Sequence, residues 1–194
     1  MATVVVPFRA GGKSRLPAEI RVEVALAMLG DVLDAASSFG PTRLVSDDEA
    51  AGLVARELGV EVVADPGGGQ GVAVQAALAG LDGPCLVVNA DVPRVRPSDL
   101  TALAIPPRRG AVAIVAAPDG TTNALGLPYA EVFQPLYGAA SASQFRAHAQ
   151  ALGLVYHDLD LPNLRDDVDT QVDLARVGRL GGSRTRALSA LVAP

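Results

Sequence analysis

The run Cys85-Leu-Val-Val-Asn-Ala-Asp-Val-Pro93 constrains the fold more than any other stretch: four residues without a polar face, a carboxylate three residues on, then a proline. A segment this short and this uniformly apolar has to be covered on both sides, as the central strands of a parallel sheet are. Asp91 then falls just past the carboxyl end of the strand, where ligands sit in open α/β sheets. An isolated Asp-x-Pro is equally a turn, so the reading depends on the rest of the chain.

The rest repeats the pattern. Thr3–Pro7, Thr42–Val45, Val60–Ala64, Ala111–Ala117 and Gly153–His157 are further short apolar or β-branched runs that read as strands, and Ala124–Leu127 is a short apolar segment. Between them lies helical spacing. Ile20, Val24, Ala27, Met28, Val32 and Leu33 predict a helix from Pro17 to about Ser37. Ser46-Asp-Asp-Glu49 supplies caps for a second that reaches about Leu58, and Val74, Ala77 and Leu78 carry a third. Pro97-Ser-Asp-Leu100 opens a short helix, Ser143–Leu152 is another capped by Ser141 or Ser143, and a last one follows Gly181-Gly-Ser183. Strands alternating with helices predict an α/β fold. The 194 residues suffice for one domain over 1–194 whose core requires neither disulfide nor structural metal.

Composition narrows the function. A net charge of −5, with no basic run longer than a pair, argues against nucleic acid as partner. No window approaches the ~20 apolar residues that cross a bilayer, and the amino terminus reads as a strand, not a signal peptide, so no membrane partner and a cytoplasmic location are expected. The single cysteine, Cys85, excludes an internal disulfide and reads as a buried small hydrophobe. His148 and His157 have no partner at zinc spacing and read as surface or packing residues.

Several stretches point to phosphate chemistry. Of sixteen basic residues only Lys13 is a lysine, and it stands with Arg15 in a loop that carries Gly11 and Gly12 directly after the first strand. Glycines let backbone approach an anion, and the two cations bring charge to it. The loop is neither a Walker A nor a GxGxxG motif, and a surface turn with two cations explains it as well. Asp65-Pro-Gly-Gly-Gly-Gln-Gly71 is either a loop for close approach to a ligand or a mobile connection. Pro118–Asn123 has the composition of a binding loop or of a turn. The helix start at Ser141 is a ready anion site or an ordinary cap. In Leu164-Arg-Asp-Asp-Val-Asp169, alternation places Asp167 and Asp169 on one side of an extended segment. Two such carboxylates repel unless a cation lies between them, and with Asp91 they could hold Mg²⁺; a helix capped by Thr170 or Asp169 is the competing reading.

Taken in order, the Lys-Ser-Arg-Leu loop, Asn89-Ala-Asp-Val-Pro93, Asp119-Gly-Thr-Thr-Asn-Ala-Leu125, Tyr137-Gly138, and Asp167-Val-Asp-Thr170 before Asp173-Leu174 span essentially the whole chain. Together they resemble the 2-phospho-L-lactate or phosphoenolpyruvate guanylyltransferases of deazaflavin-coenzyme (F-420) biosynthesis. The resemblance implies a Rossmann-like nucleotidyltransferase fold of the glycosyltransferase-A type, a three-layer sandwich on a mixed, mostly parallel sheet. It implies transfer of GMP from GTP to a three-carbon phosphate with release of pyrophosphate, phosphoenolpyruvate being favoured over 2-phospho-L-lactate. It assigns Asp91, Asp167 and Asp169 to Mg²⁺; Asn123, Gly138 and Ser141 to the acceptor; and Lys13 and Arg15 to the triphosphate, while the glycine-rich loops themselves put Gly11, Gly12 and Gly71 on the nucleotide. GTP and a small three-carbon phosphate are the expected partners, and the product could be handed to a downstream transferase. Two departures, Arg9 before the glycine loop and Val72-Ala-Val-Gln75 at a helix start, concern guanine recognition. A metal-dependent glycosyltransferase and a non-catalytic nucleotide-binding domain are the alternatives.

Overall fold

The computed structural model describes residues 1–9, 16 and 18–192. Seven strands, β1 Thr3–Pro7, β2 Thr42–Val45, β3 Glu61–Val63, β4 Cys85–Val88, β5 Val112–Ala116, β6 Thr122–Leu127 and β7 Tyr156–Asp158, form one sheet in the order β3-β2-β1-β4-β6-β5-β7. Helices α1 Ala18–Phe39, α2 Glu49–Glu57, α3 Gln70–Leu78, α4 Pro97–Leu103, α5 Ser141–Ala151, α6 Pro162–Arg165, α7 Gln171–Val177 and α8 Ser183–Val192 connect or flank the strands. The alternation foreseen from the sequence is present, and the sheet is mixed and mostly parallel. β1 pairs in parallel with β2 and β4, β2 with β3, and β5 with β7.

β6 is the exception, antiparallel to both β4 and β5. Its short link to β5 is a hairpin, in which Gly120 adopts φ 85° and the Asp119 carboxylate accepts from Thr121 N at 2.9 Å. Parallel neighbours require a long crossover, so a strand that returns through a tight turn has to run backwards. The sequence predicts only a short apolar segment over 124–127 here, because Thr122, Asn123 and Gly126 interrupt any apolar run; all six residues of the strand are nonetheless buried. Gly126 is required by close packing: a Cβ there would lie 2.6 Å from Pro107 Cγ and 2.9 Å from Leu103 O.

Alternating strand residues feed two separate cores. Val4, Val6, Leu86, Val88, Ala113 and Val115 face α1 and α4 through Leu29, Leu33, Leu100 and Leu103. Val5, Cys85, Val87, Val112, Ile114 and Leu125 face α3 and α5 through Val74, Leu78, Phe145 and Ala149. Each fully buried Leu contributes on the order of 2 kcal/mol of transfer free energy. Cys85 behaves as a small hydrophobe; burial pushes its thiol up to about 11. β7 starts three residues later than the sequence implied, because Gly153 at φ 69° and the Leu154 N to Ala149 O bond of 2.9 Å still belong to the end of α5.

A third, smaller cluster of Leu16, Val24, Met28, Val168, Leu174 and Val177 sits between α1 and α7. It anchors residues 166–169, which carry two of the acids singled out above.

Candidate active site

β4 delivers Asp91 to the carboxyl edge of the sheet. After Val88 the pairing with β6 continues for one more bond, Asn89 N to Asn123 O at 2.9 Å, and the chain then turns. The carbonyl of Asp91 accepts from Val168 N at 3.0 Å, which docks the 166–169 segment onto the end of β4. Val168 is fully buried in the small cluster. Alternation therefore sends its neighbours Asp167 and Asp169 to the other side, towards Asp91. One oxygen from each of Asp91, Asp167 and Asp169 lies within 4.8 Å of the others, and all three residues are partly buried.

Burial and the Asp91 charge push the Asp167 carboxyl up to about 6, with Asp169 adding to the rise and a hydrogen bond from Asn123 opposing it. Three hard oxygen donors held against their own repulsion fit a hard divalent cation, which takes carboxylate oxygens in this way. The competing reading of this segment holds as well. Thr170 caps α7 and forms a capping box with Asp173, so the cap lies immediately beyond the acids instead of replacing them.

A cavity of about 340 Å³ opens beside Asp91 and Asp169 and runs past Phe8, Arg9, Asp65 and Gln70. Its far wall is an ion pair, Arg9 Nε to Asp65 Oδ2 at 2.8 Å, in which the Asp65 side chain is 1% exposed. The Arg9 hydrogen bond holds the Asp65 carboxyl below the usual range. The other Asp65 oxygen accepts from Gly67 N at 2.8 Å, and Gly67, Gly68 and Gly69 all have positive φ. The glycine loop is thus a turn built on Asp65 that ends in the first residue of α3, Gln70. Gly71 has a packing role: a Cβ there would lie 2.5 Å from Pro135 Cβ.

The Ser141 region differs from expectation in detail. Neither serine caps α5; its N-cap is Ala140, at φ 55°, without a side-chain bond. The hydroxyl of Ser141 instead donates to Thr122 Oγ1 at 3.0 Å, and that of Ser143 donates to Ala140 O at 2.8 Å. Ala142 N is taken by Gly120 O at 3.2 Å. The hydroxyl pair is buried and ties α5 to β6 one residue before Asn123, and the carbonyl of Gly138, at φ 128°, accepts from Ser141 N at 3.1 Å. Asn123 is 2% exposed, and its amide donates to Arg165 O at 2.9 Å and Asp167 Oδ1 at 3.3 Å.

Gly11, Gly12, Lys13 and Arg15 lie outside the described residues. The three acids grouped by the motifs lie together in the fold, whereas Asp65, Gln70, Asn89 and Thr122 emerge beside them only in the structure. All four stand inside stretches quoted above, Asn89 and Thr122 in the motifs of the resemblance and Asp65 and Gln70 in the glycine-rich loop, but nothing local singles them out from their neighbours.

A mixed sheet with the acid-bearing strand β4 beside an inverted β6, and three carboxylates at its edge, is the fold of nucleotidyltransferases and of glycosyltransferases of the A type. Solved structures share it: a Desulfovibrio desulfuricans protein assigned to the nucleotide-diphospho-sugar transferases (TM-score 0.77, 17% identity, 98% of this chain and 95% of that one). So does glucosyl-3-phosphoglycerate synthase from Mycobacterium tuberculosis in complex with Mn²⁺, UDP and glucosyl-3-phosphoglycerate (TM-score 0.61, 13% identity, 98% of this chain and 78% of that one). The family itself follows from sequence. Residues 2–191 match the family described as guanylyl transferase CofC-like, and the chain belongs to it. It is 37% identical, over 90% of its length and 81% of the relative's, to the phosphoenolpyruvate guanylyltransferase of Nocardia farcinica.

Proposed function

We propose that this chain transfers GMP from GTP to phosphoenolpyruvate, releasing pyrophosphate, with Mg²⁺ held by Asp91, Asp167 and Asp169. The observation that carries the reading is the convergence of those three carboxylates within 4.8 Å, two of them, Asp91 and Asp169, lining a cavity, in a member of the guanylyl transferase family. Its similarity to the phosphoenolpyruvate guanylyltransferase of Nocardia farcinica supports phosphoenolpyruvate as acceptor.

An oxygen of the acceptor phosphate attacks the α-phosphorus of GTP; the bond from that phosphorus to the bridging oxygen breaks, and pyrophosphate leaves with the electron pair. The attacking oxygen is already anionic at neutral pH, so the protein supplies no general base, and positioning with charge neutralisation is what remains for it. Bound at the three acids, Mg²⁺ would neutralise the developing charge on the phosphates. The cavity beyond Asp91 receives the nucleoside, with Arg9, Asp65 and Gln70 on its walls. Gly138 and Ser141, the latter held by Thr122, form the shelf for the acceptor; Asn123 shapes it from behind. Lys13 and Arg15 are assigned to the triphosphate, with Gly11 and Gly12, on sequence grounds. The sequence resemblance supports assigning the reaction to coenzyme F-420 biosynthesis; a cytoplasmic reaction whose product is handed to a downstream transferase is part of the same proposal.

The test is pyrophosphate release from GTP and Mg²⁺ with phosphoenolpyruvate, 2-phospho-L-lactate and 3-phosphoglycerate in turn, with ATP and CTP as controls. Release that requires both GTP and phosphoenolpyruvate is expected. Binding of GTP without release in the presence of any acceptor would overturn the reading.

A further inference from the structure

Between the cavity wall and the acids runs a file of side-chain amides. Gln70 Nε2 donates to Asn89 Oδ1 at 2.7 Å. Asn89 Nδ2 donates to Thr122 O at 3.2 Å and, over a longer 3.5 Å, approaches Asn123 Oδ1. Asn123 Nδ2 donates to Arg165 O at 2.9 Å and to Asp167 Oδ1 at 3.3 Å. The direction of the file is fixed by its surroundings. Thr122 O and Arg165 O are backbone carbonyls and can only accept, so the NH₂ groups of Asn89 and Asn123 must face them; Asn89 Oδ1 then faces Gln70, which must donate. All three amides therefore point their positive ends the same way, towards the carboxylate, and dipoles aligned head to tail polarise one another.

We propose that Gln70, Asn89 and Asn123 are positioning residues that hold Asp167 aimed at the metal and tie its placement to the first turn of α3, which walls the nucleotide cavity. The inference rests on the reading of the three acids as a metal site. A side chain that orients a metal-binding carboxylate is worth about 10–100-fold in metal affinity. Asn123, in direct contact with Asp167, carries most of that; Gln70, two links away, carries a smaller part that is transmitted only while Asn123 is present. The alternative is that each amide satisfies its own neighbourhood and nothing passes along the file.

Binding of Mn²⁺ alone, measured by electron paramagnetic resonance without nucleotide or acceptor, separates these cases in the full-length protein. Asn123→Leu is expected to weaken Mn²⁺ binding by ~10-fold or more. Gln70→Leu should weaken it by about 2–5-fold at an unchanged thermal unfolding midpoint, and the double variant should be no worse than Asn123→Leu, since coupled residues are not additive. The turnover number should fall in Gln70→Leu even at saturating GTP, a change a pure binding contact would not cause. Full Mn²⁺ affinity in Gln70→Leu, or additive losses in the double variant, would overturn the proposal. If Asn123→Leu does not fold, Gln70→Leu decides alone on the same criterion. An unmodified protein that binds no Mn²⁺ removes the metal reading together with this one, whereas binding that neither variant disturbs removes only the amide file.

Discussion

Asp31 and Thr185, 154 positions apart in sequence, meet end-on: a carboxylate oxygen from the middle of α1 accepts from the backbone N–H of Thr185 at 2.9 Å, and its other oxygen accepts from Arg184 N at 3.0 Å. One helix caps the start of another, the task a Ser or Asp usually performs from within its own helix. Gly182 makes room, since a Cβ there would collide with the Asp31 carboxylate. Asp31→Ala leaves two N–H groups of α8 without these acceptors and is expected to cost about 1–3 kcal/mol. The urea midpoint reads this directly, and an unchanged midpoint would show that the tertiary cap contributes nothing.

Asp91→Asn should reduce guanylyl transfer by ~100-fold or more, as loss of a charge at a phosphoryl-transfer centre does, while the metal-free protein remains at least as stable. The second half follows from repulsion: the Asp91 charge is one of the causes that raise the Asp167 carboxyl, so its removal relieves the site. Near-normal turnover in this variant would take Asp91 out of the reaction.

The response to pH has a definite sign. In the metal-free fold, burial and the Asp91 charge push the Asp167 carboxyl up to about 6, above the ordinary carboxylate value of 3.8, so between those values the folded state holds a proton that the unfolded chain has already lost. Its contribution to stability is present below the unfolded value and is lost as pH rises through about 6. Mg²⁺ competes with that same proton. The rise in unfolding temperature caused by Mg²⁺ should therefore be small at pH 5 and larger at pH 7.5; scanning calorimetry with and without the ion would show a constant shift if Asp167 is not a ligand.

Gly71→Ala should destabilise the protein in the absence of any nucleotide. The new Cβ would sit 2.5 Å from Pro135 Cβ and 2.8 Å from its Cα, so the 134–137 segment has to move off α3, at a cost of about 1–3 kcal/mol for overpacking. A variant with unchanged stability and weakened GTP binding would return Gly71 to the ligand.

Local signals carried much of this architecture. Thr3–Pro7, Thr42–Val45 and Cys85–Val88 are strands with the bounds their apolar runs imply, because central parallel strands are buried on both faces and leave no ambiguity of period. The two-residue spacing of Asp167 and Asp169 sufficed to place both on one side. What remained hidden depends on distant partners. β6 hides because a pairing between β4 and β5 is decided by tertiary contacts, not by the composition of Thr-Asn-Ala-Leu-Gly-Leu. Ser141 reads as a cap until Thr122, nineteen positions away, claims its hydroxyl. The Arg9–Asp65 pair joins residues 56 positions apart, and no local pattern announces it.

The inverted strand has an evolutionary corollary. Because β6 runs backwards, the turn joining it to β5 opens on the same edge of the sheet as Asp91, and Gly120 within it touches α5 through Ala142. The acids, by contrast, hang from β4 and from the segment docked on it. Insertions or deletions over 117–121 can therefore remodel one lip of the proposed acceptor shelf while the three acids proposed to hold the metal stay in register, which would leave lineages free to change which small phosphate they accept without rebuilding the chemistry.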